Sequence, residues 1–381
     1  MYKITFECET ITPMFLAGVD GKTPELRPPS IKGAMRFWWR ATNAHLQLHE
    51  LKNREAAIFG GSGENEGRSK FNLKVSVNNY KLEASLRNKI WDSKNNSIRK
   101  EYQGMAYLLY STFMQKDNQR PYFSKIFFSI EISSYQKEVL VEAANSFYIL
   151  SIFGALGSRS RRGGGNFIIT KILDDNKIVP SLKLLIDIEN NMELVEFIKT
   201  VVSQITIKNS NNLKNNTYSN LSSFKVFISD PETSAEECLQ IMGNQYKEFR
   251  SRREPDYSNI KNYLISGNNF DTIEKAAFGL PINYRYRSLN NKSVTIEGHM
   301  KKERERCASP LIFKVLAVKN NTINYYPMIV FFERELLPKG DKIIIKDTSN
   351  NNKRPIWVNV PSNEIIHSFL SEFPNIIEVK I

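Results

Sequence analysis

The stretch KEVLVEAANSFYILSIFGALGSRSRRGGGNFIITKI, residues 137–172, decides how the rest of the chain is read. Val139, Leu140, Ala143, Ala144, Phe147, Tyr148 and Leu150 recur at helical spacing, which predicts a helix over 137–153, and Gly154 can end it. Phe167 to Ile172 reads as a short apolar strand. A helix returning into a strand is the second half of a β-α-β-β-α-β unit, so the first half is sought upstream.

It is there. Tyr2, Ile4, Phe6 and Cys8 alternate onto one face of a first strand. A Gly/Pro-rich loop follows from Pro13 to Pro29, and Ser30 is a candidate N-cap for a helix reaching about Leu48. Phe71 to Val77 and Tyr122 to Ile132 read as the second and third strands, with 78–120 as an insertion between them. Asp174-Asp175-Asn176-Lys177 reads as an inter-domain turn, dividing the chain into 1–175 and 176–381. In the second part, strands are expected at Leu182 to Ile188 and Phe224 to Ile228, and helices at Met192 to Val202 and Ala235 to Phe249. A hairpin of Leu311 to Val318 and Thr322 to Phe332 should turn at Lys319-Asn320-Asn321, and Ser362 to Phe373 should be a closing helix capped by Ser362. The Asn-rich stretches 209–220 and 350–352 read as loops. The expected class is α+β, two ferredoxin-like (RRM-like) domains with insertions.

Composition narrows the function. Lys and Arg number 53 against 40 Asp and Glu, a formal charge of +13 in 381 residues, which points to a polyanionic partner. Cys8, Cys238 and Cys307 form no CxxC pair, so neither a zinc ribbon nor a disulfide framework is indicated and a reduced, cytoplasmic setting is expected. No apolar run approaches membrane-spanning length, and the N-terminus does not read as a signal peptide. Gly61 to Ser69 fails as a P-loop, since it lacks the lysine and carries Glu64 and Glu66, and no GxGxxG is present. No cofactor or metal is expected.

Two segments concentrate the charge. In PELRPPSIKGAMRFWWR (24–40), Lys32, Arg36 and Arg40 stand four residues apart, with Asn43 and Gln47 on the same stripe. No acid occurs between Glu25 and Glu50, so the stripe has no partner on its own helix. Trp38 falls on the apolar side; Trp39 borders the stripe and either stacks on a base or closes the core edge. The second segment is the loop 154–166, where no acid occurs between Glu142 and Asp174. Gly157, Ser158, Gly163 and Gly164 let the backbone approach phosphates, and Arg159, Arg161 and Arg162 offer forked donors. Arg27 extends the path. Arg27, Lys32, Arg36, Trp39 and Arg40, with Gly157, Ser158, Arg159, Arg161, Arg162, Gly163 and Gly164, are the expected RNA contacts. A weaker patch is Tyr284-Arg285-Tyr286-Arg287 with Lys301, Lys302, Arg304 and Arg306, read more readily as a half-core strand with a solvated edge.

The four histidines are His45, His49, His299 and His367. His45 and His49, four apart on the predicted helix, face its apolar side, and HLQLH lacks the Glu of HExxH. No catalytic residue is expected. The competing reading, a ribonuclease, needs a general acid or base, usually histidine, near the scissile phosphate.

The loop GALGSRSRRGGGNF resembles the glycine-rich loop of the RAMP superfamily of CRISPR proteins. PELRPPSIKGAMRFWWRA resembles the signature of the first RAMP subunit of the Cmr effector complex, type III-B, and ITPMFLAG (11–18) is similar to that family's opening strand and loop. Phe278-Gly279-Leu280-Pro281 and Arg306-Cys307-Ala308-Ser309-Pro310-Leu311 resemble its later motifs, with Cys307 a minor departure. The resemblance implies two ferredoxin-like domains and a non-catalytic place at the head of a filament wound on guide CRISPR RNA. There the subunit would meet the guide's 3′ region, the paired target RNA and neighbouring Cmr subunits. Target cleavage would belong to the repeated backbone subunit. An endoribonuclease that processes CRISPR repeat RNA can share the fold and stays open as the alternative.

Overall fold

Alternation along β1 (Tyr2–Thr10) buries Ile4, Phe6 and Cys8 and turns Thr5, Glu7 and Glu9 outward, as an inner strand with one covered face requires. A computed structural model describes residues 1–64, 66–114, 119–175, 177–179, 182–206, 218–252, 254–299, 306–319, 322–350 and 352–380. Helices α1 (Pro28–Thr42) and α2 (Leu48–Phe59) follow β1. α1 begins two residues before Ser30, with Pro28 and Pro29 in its first turn, where a missing N–H costs nothing, and Arg27 at the N-cap. It ends at Thr42 rather than near Leu48. Asn43 turns its side-chain amide onto the Trp39 carbonyl (2.8 Å) and its backbone N–H onto Arg40, which closes the helix. His45 therefore lies in the connecting turn and His49 in α2, not on one helix face.

β2 (Phe71–Glu83) runs past Val77 through a bulge between Val77 and Asn79, so the insertion starts at 84 rather than 78. It carries α3 (Arg87–Ile90), the short pair β3 (Trp91–Asp92) and β4 (Ser97–Ile98), and α4 (Gln103–Leu108). Then come β5 (Tyr122–Ser134), α5 (Lys137–Phe153) and β6 (Phe167–Leu173). The sheet order is β2-β5-β1-β6, all antiparallel, which is the ferredoxin-like arrangement. α1 and α5 cover one face through Ile31, Met35, Trp38, Leu140, Ala143 and Phe147.

Leu182 to Ile188 is not a strand. Leu185–Asp187 makes one 3-10 turn, and Leu185 and Ile188 pack into the first core beside Leu194, Phe197 and Ile198 of α6 (Asn191–Thr206).

The second domain repeats the first. Its strands are β7 (Phe224–Ile228), β10 (Leu311–Lys319), β11 (Ile323–Phe332) and β14 (Ile377–Glu378), in the order β10-β11-β7-β14 with α7 (Ala235–Arg252) and α9 (Glu364–Ser371). Asn363, not Ser362, sits at the N-cap of α9; the Ser362 hydroxyl accepts the Glu364 N–H at 3.3 Å from one residue further out. Between these elements the chain inserts α8 (Asp256–Ser266), β8 (Ile282–Tyr286), β9 (Lys292–His299), β12 (Lys342–Asp347) and β13 (Ile356–Val358). They form a third sheet, β13-β12-β9-β8, with its own core around Ile260, Tyr263, Ile296 and Ile345.

The two domains share their cores. One cluster joins Phe6 and Trp38 to Leu316 and Phe332, and another joins Phe15 and Met105 to Leu239 and Phe369. The first-domain insertion docks on α7. Gln240 accepts the N–H groups of Gly104 (2.8 Å) and Met105 (3.2 Å), Arg250 donates to the Tyr107 hydroxyl (2.9 Å), and Lys89 pairs with Glu236. Asn176, Asn209 to Thr217, Lys301, Lys302, Arg304, Asn320, Asn321 and Asn351 lie outside the described residues.

Candidate nucleic-acid interface

The basic stripe of α1 finds its partner on α2. Arg36 donates to Glu55 at 2.9 Å and to the carbonyls of Phe59 and Gly60, at the negative end of α2. Arg40 reaches both oxygens of the same carboxylate, at 2.8 and 2.9 Å. One carboxylate thus meets two guanidinium groups, and one positive charge is left over. The side chains of Arg36 and Arg40 stay 30% and 39% exposed. Arg27 is half-buried beside Glu25. Lys32 donates to the Phe71 carbonyl (3.1 Å) and lies over the Phe71 ring; burial, then the charge of Arg36, pulls its pKa down.

Trp39 is not at the surface. It is 1% exposed, and its Nε1 donates to Glu142 at 2.7 Å. An indole N–H needs an acceptor when buried, and Glu142 supplies it from α5 while also pairing with Arg54. No ring face of Trp39 is offered to a base.

The glycine-rich loop folds onto itself and into the seam between the domains. At Gly165 φ is +69° and a Cβ would lie 1.8 Å from the Leu156 carbonyl oxygen; at Gly157 φ is +87° and a Cβ would lie 2.4 Å from that of Phe15. Ser158 donates its N–H to Phe15 (2.8 Å), and its hydroxyl accepts from Arg120 (2.9 Å). Gly163 and Gly164 are buried. All three loop arginines turn inward. Arg159 donates to the Leu108 carbonyl (2.7 Å). Arg161 donates to that of Ser309 (2.8 Å) and covers the Phe37 ring. Arg162 reaches the Phe278 carbonyl (3.3 Å) and lies over Tyr246 and Phe313, with its Nη1 enclosed and unpartnered. Among the described residues, no carboxylate is within ion-pair distance of these three groups. Burial and the neighbouring cations lower Arg159 and Arg161 to about 10 and lower Arg162 as well.

Lys314 of β10 reinforces the seam. It is fully buried and donates to the carbonyls of Ser151 and Gly154, both at 2.7 Å, capping α5 from the other domain. Burial brings it down to about 7.

Sequence reasoning missed Arg120 and Lys22. With Phe15, Gly21 and Ser158 they line a cleft of about 280 Å³ at the outer end of the glycine-rich loop. The sequence places each alone in a loop, with nothing to show that they meet. In β8, Tyr284 and Tyr286 stack on one side (ring centroids 6.2 Å apart) while Arg285 is exposed on the other. His45 lines a different cleft, of about 580 Å³, with Trp39, Arg54 and Glu142. His49 is exposed. Among the described residues no group of three His, Cys, Asp or Glu could hold a metal ion, and no helix is long and apolar enough to cross a membrane.

Residues 7–168 match the model of the RAMP superfamily. The CRISPR system Cmr subunit Cmr1-1 of Pyrococcus furiosus is 28% identical over 89% of this chain and 90% of its own length. Cmr1-2 of the same organism is 30% identical, over 44% of this chain and 94% of its own length. Among solved structures, apo Cmr1 from Pyrococcus furiosus superposes with a TM-score of 0.65 at 21% identity, covering 100% of this chain and 99% of that one. A chain of the type III-B Cmr-beta bound to cognate target RNA matches with a TM-score of 0.50 at 16% identity, over 87% and 94% of the two chains.

Proposed function

Given that this chain belongs to the RAMP superfamily, as a relative of the Cmr1 subunits, we propose that it is an RNA-binding, non-catalytic subunit of a type III-B CRISPR ribonucleoprotein. It holds the 3′ region of guide RNA, or the target paired with it, beside other Cmr subunits in the cytoplasm. The observation that carries this reading is the surplus of cations left at the surface of the first domain: Arg36 and Arg40 around one Glu55, and Lys22 with Arg120 at the outer end of the loop, while Arg27 at the helix start is paired with Glu25. Phosphate contacts of this kind position RNA without reading its sequence, which suits a complex where base pairing supplies specificity. Arg159, Arg161, Arg162, Gly163 and Gly164 serve the site indirectly, by holding Gly157 and Ser158 in place against Arg120. Lys32 and Trp39 do the same for α1.

Salt dependence tests the assignment. Each phosphate neutralised on a single strand contributes about 0.7 to the slope of log affinity against log salt. Arg40→Ala with Arg120→Ala should lower the slope by one to two such increments, and an unchanged slope would exclude these side chains as contacts. The rival, repeat-RNA processing, is separated by isolating the protein from its host. Mature spacer RNA in a large assembly supports the effector subunit; unprocessed repeat RNA on the free protein supports the nuclease.

A further inference from the structure

The inserted sheet has two unlike faces. One packs Val294, Ile296, Ile343, Ile345 and Val358 into the small third core. The other carries Trp357, which is 51% exposed. The remaining tryptophans are differently placed: Trp38 and Trp39 are buried, and Trp91 has the Arg87 guanidinium 3.5 Å from its ring centroid. Leaving an indole half in water forfeits the burial it could gain, and tryptophan, apolar in body with a polar N–H, is enriched where one molecule meets another.

Register gives Trp357 its surroundings. It pairs with Ile344, which pairs with Glu297; on one side of this row Lys342 pairs with His299, and on the other Lys346 pairs with Thr295. The His299 and Trp357 rings meet at 74° with centroids 6.4 Å apart, so the indole is braced on the sheet. Lys346 donates to Glu297 at 3.0 Å. Lys342 is exposed, and so is Arg285 at the far edge of the same face, on β8, two strands beyond β12. Three cations against one carboxylate make this face complementary to a polyanion. Ile344 is only 5% exposed, so the face offers one open aromatic ring rather than an apolar patch a protein partner would need.

We infer that the outer face of the inserted sheet is a second RNA site, which stacks an unpaired base on Trp357 and places its phosphates near Lys342 and Lys346. An aromatic ring on a β-sheet flanked by lysines binds single strands, because the base must leave its duplex to offer a face. The inference rests on the proposed RNA function only for the choice of ligand; the residues are in the other domain and share nothing with α1.

The test uses the full chain with a fluorescein-labelled adenosine 12-mer, and the same 12-mer annealed to its complement. Trp357→Ala should weaken single-strand binding about tenfold, and Trp357→Phe should recover most of it, since a base stacks on either ring. Duplex binding should not change. Both substitutions are at an exposed position, so the melting temperature should hold. Equal single-strand affinity for wild type and Trp357→Ala, with Arg40→Ala and Arg120→Ala still weakening it, would overturn the second site and leave the proposed function standing. If Trp357→Ala keeps its RNA affinity but drops out of the assembled complex, the face is a protein interface and the inference fails. A wild-type chain that bound neither RNA form would overturn both.

Discussion

The α1 stripe and the glycine-rich loop read alike in sequence: three cations each, and no acid nearby. The folded protein treats them oppositely. Arg36 and Arg40 stay at the surface around one carboxylate, while Arg159, Arg161 and Arg162 turn into the seam between the domains and meet carbonyls and aromatic rings, with one nitrogen of Arg162 left unpartnered. A cluster of unopposed cations therefore signals a missing local partner, not an exposed surface. Backbone carbonyls can fill the role, and every residue carries one.

This contrast breaks most visibly at Gly165. Gly165→Ala adds a Cβ at positive φ against the Leu156 carbonyl and should cost about 3–4 kcal/mol or more in chemical denaturation. A loop that tolerated alanine there would not be the tight seam described. Lys314→Met comes next. It strands two buried carbonyls, each worth about 1–3 kcal/mol, and a melting temperature unchanged at pH 7 would contradict the cap. The same residue carries a pH signature. Burial holds the folded amine near 7, against an ordinary 10.5, so between about pH 7 and pH 10 the unfolded state binds the extra proton. Stability from this group should rise with pH across that window, by up to about 1.4 kcal/mol per unit, and stay flat below pH 7. Lys314→Met should remove that increment relative to wild type.

Smaller effects sharpen the other side. Trp39→Phe loses the bond to Glu142 and should cost about 1.5–3 kcal/mol, with RNA affinity unchanged; a weakened affinity at constant stability would return Trp39 to the contact surface. Arg40→Ala should change stability by less than about 1 kcal/mol, since the pair with Glu55 is part-exposed, yet it should lower the salt slope of RNA binding. Arg161→Ala should do the reverse, lowering stability with little change in slope.

How much of this was legible in the sequence differs along the chain. In the first domain, β1 and β5 follow from alternation, because one face of each is covered along most of its length, and α5 and β6 follow from their apolar residues, since the last two turns of α5 and the first three residues of β6 are buried all round. The break of α1 at Asn43 was not legible: no glycine or proline marks it, and an asparagine amide closes the helix. Leu182 to Ile188 reads as a strand because it is apolar, but its residues pack under α6 without a ladder. The third sheet was hidden for another reason. β9 pairs with β12 across the whole β10–β11 hairpin, so each of the two separate insertions holds only one strand pair of the four-stranded sheet.

Periodicity and composition by themselves determined the first ferredoxin-like unit, the charge surplus and the two basic segments, because each is a property of neighbouring residues. Only the tertiary structure decided which cations face solvent. The partners that settle it, Ser309 for Arg161, Phe278 for Arg162 and the carbonyls of Ser151 and Gly154 for Lys314, lie more than a hundred residues away in the chain. Burial of a charge depends on such distant acceptors, and no local pattern encodes them.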